Sequence, residues 1–326
     1  MKKAKVITTR KLPSPIERRM GELFDVSLSK AEHPIERQEL INALKEAEVL
    51  VPTIGDKINA SMLSLANPNL KLIANYGAGY DHIDVKTAFQ RGIIVTNTPS
   101  VLTTDTADMT MALLLAMPRK LREGHEEMQS GNWKGWSPTA FMGTRVTGKN
   151  LGIIGMGRIG QAIAKRAIAF DMKINYHNRR KLHSELEKNL QANYWTNIEE
   201  MISHIDILVV SASLNTSSLY LLDQKMLSRL KPSAYIINIS RGEIIDQNAL
   251  FRMLKSKKIS GAGLDVYDDK KIISEDFKRL KNVFLLPHMG SSTLEGRLEM
   301  GEKVILNIKT FIDGHRPSDQ IVPSML

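Results

Sequence analysis

Two glycine turns and four strand-end side chains carry the chemical potential of this 326-residue chain. Leu151-Gly152-Ile153-Ile154 is a short apolar run that leads into Gly155-Met156-Gly157-Arg158-Ile159-Gly160, and the helical pattern QAIAKRAIAF follows directly. In such a strand, turn and helix, Gly155 permits the tight turn, Gly157 lets the backbone approach a pyrophosphate, and Gly160 allows close helix packing. The helix N-terminus, from Arg158 and Ile159 on, adds N–H groups and partial positive charge. This is the pattern of a dinucleotide-binding loop. Four further apolar runs, IDILVV, SAYIINIS, ISGAGLDV and VFLLP, each end at or near a reactive residue type: Ser213, Arg241, Asp265 and His288. The carboxyl ends of parallel strands line the ligand crevice of an open α/β sheet, so these groups are expected to form a reaction centre. Taken singly, Arg241 reads equally well as a structural ion pair, and His288 as a core histidine. The second glycine turn, Tyr76-Gly77-Ala78-Gly79-Tyr80-Asp81, is either a nest of outward N–H groups for an anion or an ordinary strand-to-helix turn.

The strand after the dinucleotide loop, MKINYH, ends in Tyr176-His177-Asn178-Arg179-Arg180. NAD-specific sites place an Asp or Glu here, roughly 20 residues after the turn, to accept from the ribose 2′-hydroxyl. This chain offers no carboxylate and two guanidiniums. The expected cofactor is therefore NADP(H) in preference to NAD(H), with His177, Asn178, Arg179 and Arg180 around its ribose phosphate. The alternative is that Arg179 and Arg180 are solvated surface. A P-loop imitation, Gly143 to Lys149, is set aside because Asn150 replaces the Mg²⁺-binding hydroxyl and the motif precedes a strand.

These residues need a scaffold, and the hydrophobic pattern supplies one. From KVITT through IIVTNT, short apolar runs alternate with helical patterns in about five βα units, which implies a first α/β domain with a parallel sheet. Residues from Asp105 to about Gln129 read as one long connecting helix with Pro118 as a kink. The next segment, Gly131 to Pro138, puts Trp133 and Trp136 in a loop, either over a pocket or interface or in simple packing.

Length alone predicts about two domains. Apolar residues are 42% and charged residues 25%, which excludes disordered and collagen-like classes. No run approaches a membrane span or a signal h-region, and the chain has no cysteine, which removes disulfides, thiol nucleophiles and thiolate metal sites. A cytoplasmic protein is expected. The net charge of +10 comes from scattered residues with no basic block of five or more, so it reads as solvated surface rather than a nucleic-acid face. The eight histidines show no metal-ligand spacing.

Taken together, the chain resembles the D-isomer-specific 2-hydroxyacid dehydrogenase family, and within it the glyoxylate and hydroxypyruvate reductases. The resemblance spans nearly the whole chain. It rests on Asn75 to His82, Gly155 to Gly160, Asn238-Ile239-Ser240-Arg241-Gly242, Gly263-Leu264-Asp265-Val266 and Leu286-Pro287-His288-Met289-Gly290. It implies an α/β fold of two Rossmann-like domains: a discontinuous flavodoxin-like substrate domain, residues 1–101 with 290–326, and an inserted NAD(P)-binding Rossmann domain, residues 102–289. It also implies roles. Arg241 and the N–H groups of Ala78 and Gly79 would hold the carboxylate of a small 2-oxo or 2-hydroxy acid, and His288 would protonate the carbonyl oxygen as hydride arrives. Asp265 would hold the nicotinamide carboxamide, with Thr106, Ser213, Ile239 and Gly290 around the cofactor. Trp136 would reach the neighbouring subunit's substrate in a homodimer.

The family usually continues from its third catalytic strand as D-V-F/Y-E-x-E-P, with the second Glu paired to the histidine. This chain reads Asp265-Val266-Tyr267-Asp268-Asp269-Lys270-Lys271, with Lys270 in that Glu position. Loss of the carboxylate lowers a histidine pKa, and a nearby cation lowers it further. Asp269 or Asp268 is the available substitute. The expectation is a reductase with an acid-shifted rate profile. Its competitors are a dinucleotide-sensing binding protein or corepressor of the same fold, and a formate or phosphite dehydrogenase.

Overall fold

Thirteen strands make two separate sheets in the computed structural model, which describes residues 4–268, 273–322 and 325. In chain order the strands are β1 (Lys5–Thr8), β2 (Asp25–Ser27), β3 (Val49–Val51), β4 (Leu72–Ala74) and β5 (Ile94–Thr96). Then come β6 (Asn150–Ile154), β7 (Lys173–His177), β8 (Ala192–Tyr194), β9 (Ile207–Val210), β10 (Tyr235–Asn238), β11 (Gly261–Leu264), β12 (Val283–Leu285) and β13 (Gln320–Ile321). The chain divides into two compact units, Met1–Leu102 with Ser292–Leu326, and Thr103–Ser291.

The first unit orders its sheet β13-β5-β4-β3-β1-β2, parallel except for β13, which runs antiparallel to β5. The parallel part follows the flavodoxin-like doubly wound order. β3 and β4 are buried along their whole length, as strands covered by helices on both faces must be. One helical layer includes the last long helix, Leu294–Ile312, whose Met300, Val304, Ile305 and Ile308 pack with Ile16 and Met20 of the first helix, Ser14–Leu23.

The second unit is an all-parallel sheet of order β12-β11-β10-β9-β6-β7-β8, the Rossmann order extended by one strand. The chain reverses direction across the sheet at β6, between β7 and β9, so the turn that leaves β6 sits at the topological switch point.

The single kinked helix expected from Asp105 to Gln129 is instead two helices, Thr103–Ala116 and Leu121–Ser130. Pro118 has no N–H to continue the ladder, and Lys120 turns left-handed at φ 53°. The break is then fixed from outside, because the Thr144 N–H donates to the Pro118 carbonyl at 2.8 Å. No residue of the second helix is buried. Arg122 anchors it by donating from Nη1 to the Val283 carbonyl of β12 at 2.8 Å. β8 and β13, which the apolar pattern does not announce, are edge strands of three and two residues. Among the described residues no helix is long and apolar enough to cross a membrane.

Candidate active site

The turn after β6 is built on two positions that only glycine fits. Gly155 has φ +95°, and a Cβ there would lie 2.5 Å from the Ala212 nitrogen. A Cβ on Gly160 would lie 2.3 Å from the Gly155 carbonyl oxygen, so the helix Arg158–Ile168 starts hard against the turn. Gly157 differs, with nothing within 4 Å of where its Cβ would be. No side chain caps the helix, which leaves its first N–H groups for a ligand. These features fit a dinucleotide pyrophosphate.

β7 braces this turn from the side. The Gly155 N–H donates to the His177 carbonyl at 3.1 Å, and the Met156 N–H donates to Asn178 Oδ1 at 2.8 Å. His177 turns its ring towards the Trp195 carbonyl, with Nδ1 at 2.9 Å. Asn178, expected from sequence beside the ribose, thus spends its side-chain oxygen on the glycine turn. Arg179 and Arg180 are exposed, and neither forms an ion pair among the described residues.

Arg241 follows β10 and is held by its neighbours. Asn238 Nδ2 donates to the Arg241 carbonyl at 2.9 Å, and Arg241 Nη1 donates to the Ser240 carbonyl at 2.7 Å. Gly242 comes next because the chain at Tyr267 and Asp268 lies against it: a Cβ would fall 1.8 Å from the Tyr267 carbonyl carbon. Asp268 is buried, accepts from the Tyr220 hydroxyl at 2.9 Å, and donates its N–H to Gln247 Oε1 at 3.1 Å.

Asp265 does more than sequence reasoning assigned to it. It is 1% exposed, and its two carboxylate oxygens each accept a backbone N–H at 2.7 Å, one from Met289 and one from Gly290. Burial pushes its carboxyl above the ordinary value, while the N–H groups of Met289, Gly290 and His288 act against that rise. Thr106 completes the cluster, its Cγ2 lying 3.6 Å from where a Gly290 Cβ would be. The turn that Asp265 gathers carries His288, which adopts φ 56°, a left-handed backbone that costs energy in a residue other than glycine. His288 is exposed, so the core-histidine reading is withdrawn. Tyr267 supports the same turn, its hydroxyl lying 2.7 Å from the Leu286 carbonyl and 3.1 Å from that of Leu264. Burial, with the Asp265 charge behind it, pushes the Tyr267 hydroxyl up to about 12.

Of the other candidates in this unit, Ile239 is buried at the end of β10 and Ser213 is exposed past β9. Trp133 and Trp136 are 52% and 83% exposed, so simple packing does not explain them. Asp269 and Lys270 lie outside the described residues. Among the described residues no group of three or more His, Asp or Glu is placed to hold a metal ion.

The turn after β4 belongs to the first unit. Asn75 Nδ2 donates to the carbonyls of Gly77 and Gly79 at 3.0 and 2.9 Å, and Asn97 Nδ2 donates to the Ala78 carbonyl at 2.7 Å. Among the described residues the N–H groups of Ala78 and Gly79 have no acceptor. Sequence reasoning gave neither asparagine a role, although Asn75 opens the motif Asn75 to His82. Their signal was position, since Asn75 directly follows β4 and Asn97 directly follows β5.

Residues 111–290 match the family model described as "D-isomer specific 2-hydroxyacid dehydrogenase, NAD binding domain", more than half of the chain. The chain belongs to the D-isomer-specific 2-hydroxyacid dehydrogenase family. A family relative, the glyoxylate reductase of Pyrococcus furiosus, is 40% identical over 97% of this chain and 94% of its own. The TT0316 protein of Thermus thermophilus has a solved structure that superimposes with a TM-score of 0.89 at 35% identity, covering 98% of this chain and all of that one. The NADPH-dependent glyoxylate/hydroxypyruvate reductase of Sinorhizobium meliloti, solved with NADP and malonate, gives 0.85 at 30% identity over 98% and 97% of the two chains. The dinucleotide loop after β6, the guanidinium after β10 and the imidazole after β12 all lie at the carboxyl ends of strands of one sheet.

Proposed function

We propose that this chain reduces a small 2-oxo acid, glyoxylate or hydroxypyruvate, to the D-2-hydroxy acid, using NADPH in preference to NADH. The observation that carries the reading is the run of Ala78 and Gly79 N–H groups, which have no acceptor among the described residues, in a chain whose turn after β6 fits a dinucleotide. The reduced nicotinamide, when bound, supplies the hydride. Arg241 binds the substrate carboxylate and draws electron density towards the carbonyl oxygen. His288, exposed on a turn that Asp265 and Tyr267 hold in place, gives its proton to that oxygen as general acid. Asp265 is the scaffold of that turn first, and its remaining lone pairs are the acceptors for a carboxamide. Thr106, Ile239, Ser213 and Gly290 line the cofactor in this reading.

The NADP preference rests on a β7 end with no carboxylate from Tyr176 to Arg180 and two exposed guanidiniums that form no ion pair among the described residues. Replacing Arg179 and Arg180 by Ala is expected to weaken NADPH binding about 10- to 100-fold and leave NADH binding nearly unchanged. Equal affinity of wild type and variant for NADPH would return both arginines to solvated surface. A homodimer accounts for the exposed Trp133, Trp136, Phe141 and Met142. Sedimentation as a monomer would remove that assignment. The lack of cysteine fits a reducing compartment, and we place the protein in the cytoplasm.

The decisive assay is NADPH oxidation with glyoxylate and with hydroxypyruvate between about pH 5 and 8, bracketing the histidine's ordinary pKa. Turnover establishes the reductase. Tight NADPH binding without turnover at any pH would put the sensing protein in its place, for which Lys270 is the sequence argument.

A further inference from the structure

After β7 the chain passes through Asn178 and Leu182, and each of these is tied to a tyrosine of the sheet. Asn178 gives its Oδ1 to the Met156 N–H of the glycine turn at 2.8 Å, and its carbonyl accepts from the Tyr194 hydroxyl at 3.2 Å. The Leu182 N–H donates to the Tyr176 hydroxyl at 2.9 Å, and that hydroxyl donates in turn to Glu187 Oε1 at 2.7 Å. The two tyrosines stand opposite each other in the β7 and β8 register, with ring centres 5.3 Å apart, and Tyr176 is fully buried. Burial, with the Glu187 hydrogen bond behind it, pushes the Tyr176 hydroxyl far above its ordinary value, and the same bond draws the Glu187 carboxyl below its own. Near neutral pH the hydroxyl therefore stays a donor and the carboxylate a charged acceptor.

Between these two ties stand three consecutive exposed cations, Arg179, Arg180 and Lys181, and they are not equivalent. Lys181 is spent within the unit, its Nζ lying 3.2 Å from Glu187 Oε2 and 6.0 Å from the centre of the Tyr194 ring. Glu187 thus has one oxygen on Tyr176 and the other on Lys181, and its side chain is 13% exposed. A carboxylate held this way is withdrawn from any ribose hydroxyl. Arg179 and Arg180 form no ion pair among the described residues.

We infer that Tyr176 and Tyr194 are positioning residues for cofactor choice, tying Leu182 and Asn178 to the sheet so that Arg179 and Arg180 stand in fixed register with the glycine turn and meet a ribose 2′-phosphate. The inference rests on the NADP reading for its ligand. Neither tyrosine touches the cofactor in this scheme. The affinity comes from preorganisation, because a loop already tied at both ends loses less freedom when the phosphate binds.

The test uses adenosine 2′,5′-bisphosphate, which carries the 2′-phosphate, and 5′-AMP, which lacks it, each titrated by calorimetry with no substrate and no turnover. Wild type should bind the bisphosphate about 10-fold or more tightly than 5′-AMP. Tyr176→Phe keeps the ring and deletes a hydroxyl bonded to a charged carboxylate, so the bisphosphate should weaken about 10-fold; Tyr194→Phe frees only the Asn178 carbonyl and should cost about threefold, with 5′-AMP within about twofold in both. A merely structural role would weaken both nucleotides alike, and that result overturns the inference. Tyr194 is half-buried, so Tyr194→Phe decides alone if thermal unfolding shows that Tyr176→Phe does not fold. Folded variants that keep the wild-type preference end the inference and leave the NADP reading standing. A wild type with no preference between the two nucleotides ends both.

Discussion

The two glycine turns are alike in sequence and opposite in construction. After β4, asparagine side chains donate to backbone carbonyls, and what remains for a ligand is a row of N–H groups from consecutive peptides. After β6, an asparagine side chain accepts a backbone N–H, from Met156, and what remains is the bare start of an 11-residue helix. The first arrangement suits a small planar anion gripped at short range. The second suits a pyrophosphate, for which the helix terminus adds a longer-range field. The same residue type, turned about, decides which polar face of the backbone is left over.

The comparison can be broken at its glycines first. Gly160→Ala would press a methyl against the Gly155 carbonyl, with backbone on both sides and nothing to give way. Overpacking of this kind costs about 1–3 kcal/mol, so the NADPH dissociation constant should rise by up to roughly 100-fold, with a lower melting temperature. Gly77→Ala is the matched change in the other turn, where the methyl would meet the Cγ2 of Ile54 at 3.1 Å and Nδ2 of Asn75 at 3.4 Å, side-chain atoms that can shift by the few tenths of an ångström required. A KM for oxo acid within about threefold of wild type is expected, and a loss as large as that of Gly160→Ala would show the two turns to be equally rigid. Next in size is Asn178→Ala, which releases the Met156 N–H. Fluorescence titration should show NADPH weakened about tenfold, with the KM for oxo acid at saturating cofactor unaltered. A change in both would mean that the turns are not independent.

The smallest effect sharpens the picture of the first turn. Burial pushes the Tyr76 hydroxyl up to about 12, and it donates to the Arg297 carbonyl of the long C-terminal helix. Its folded pKa lies above the unfolded value of 10, so its contribution to stability is complete below pH 10 and is lost as pH rises through 12. Tyr76→Phe, melted at about pH 9 and 11, should lose less stability between the two than wild type does. Equal losses would place the alkaline sensitivity elsewhere.

Much of this was legible in the chain itself. The alternation of apolar runs and helical patterns marks the long buried strands, because a strand covered on both faces must be apolar throughout. β8 and β13 escape that signal, since Ala192–Tyr194 and Gln320–Ile321 are short edges with one side to solvent. Pro118 was visible as a disturbance, but whether it bends or ends a helix depends on the Thr144 N–H some 26 residues later finding its carbonyl. For the site, residues at strand ends declare themselves by position, as Arg241, Asp265 and His288 do. The work of Asn97 and Asn178 is tertiary, since each bonds to backbone that another strand brings alongside, while Asn75 acts locally on carbonyls of the turn that follows it. Nothing in residue type or spacing says which way an amide faces.

The first unit is made of two separated stretches, and its core needs the helix Leu294–Ile312, whose Gly301 lies so close to Ile16 that a Cβ would come within 2.4 Å. The second unit is one unbroken stretch. On a ribosome the chain emerges in order, so the dinucleotide unit has every residue it requires while the first unit still waits for its last helix. During synthesis the parallel edge strand β5 has neither β13 beside it nor that helix over its sheet, and this interval is when the nascent protein is most exposed to wrong strand pairing.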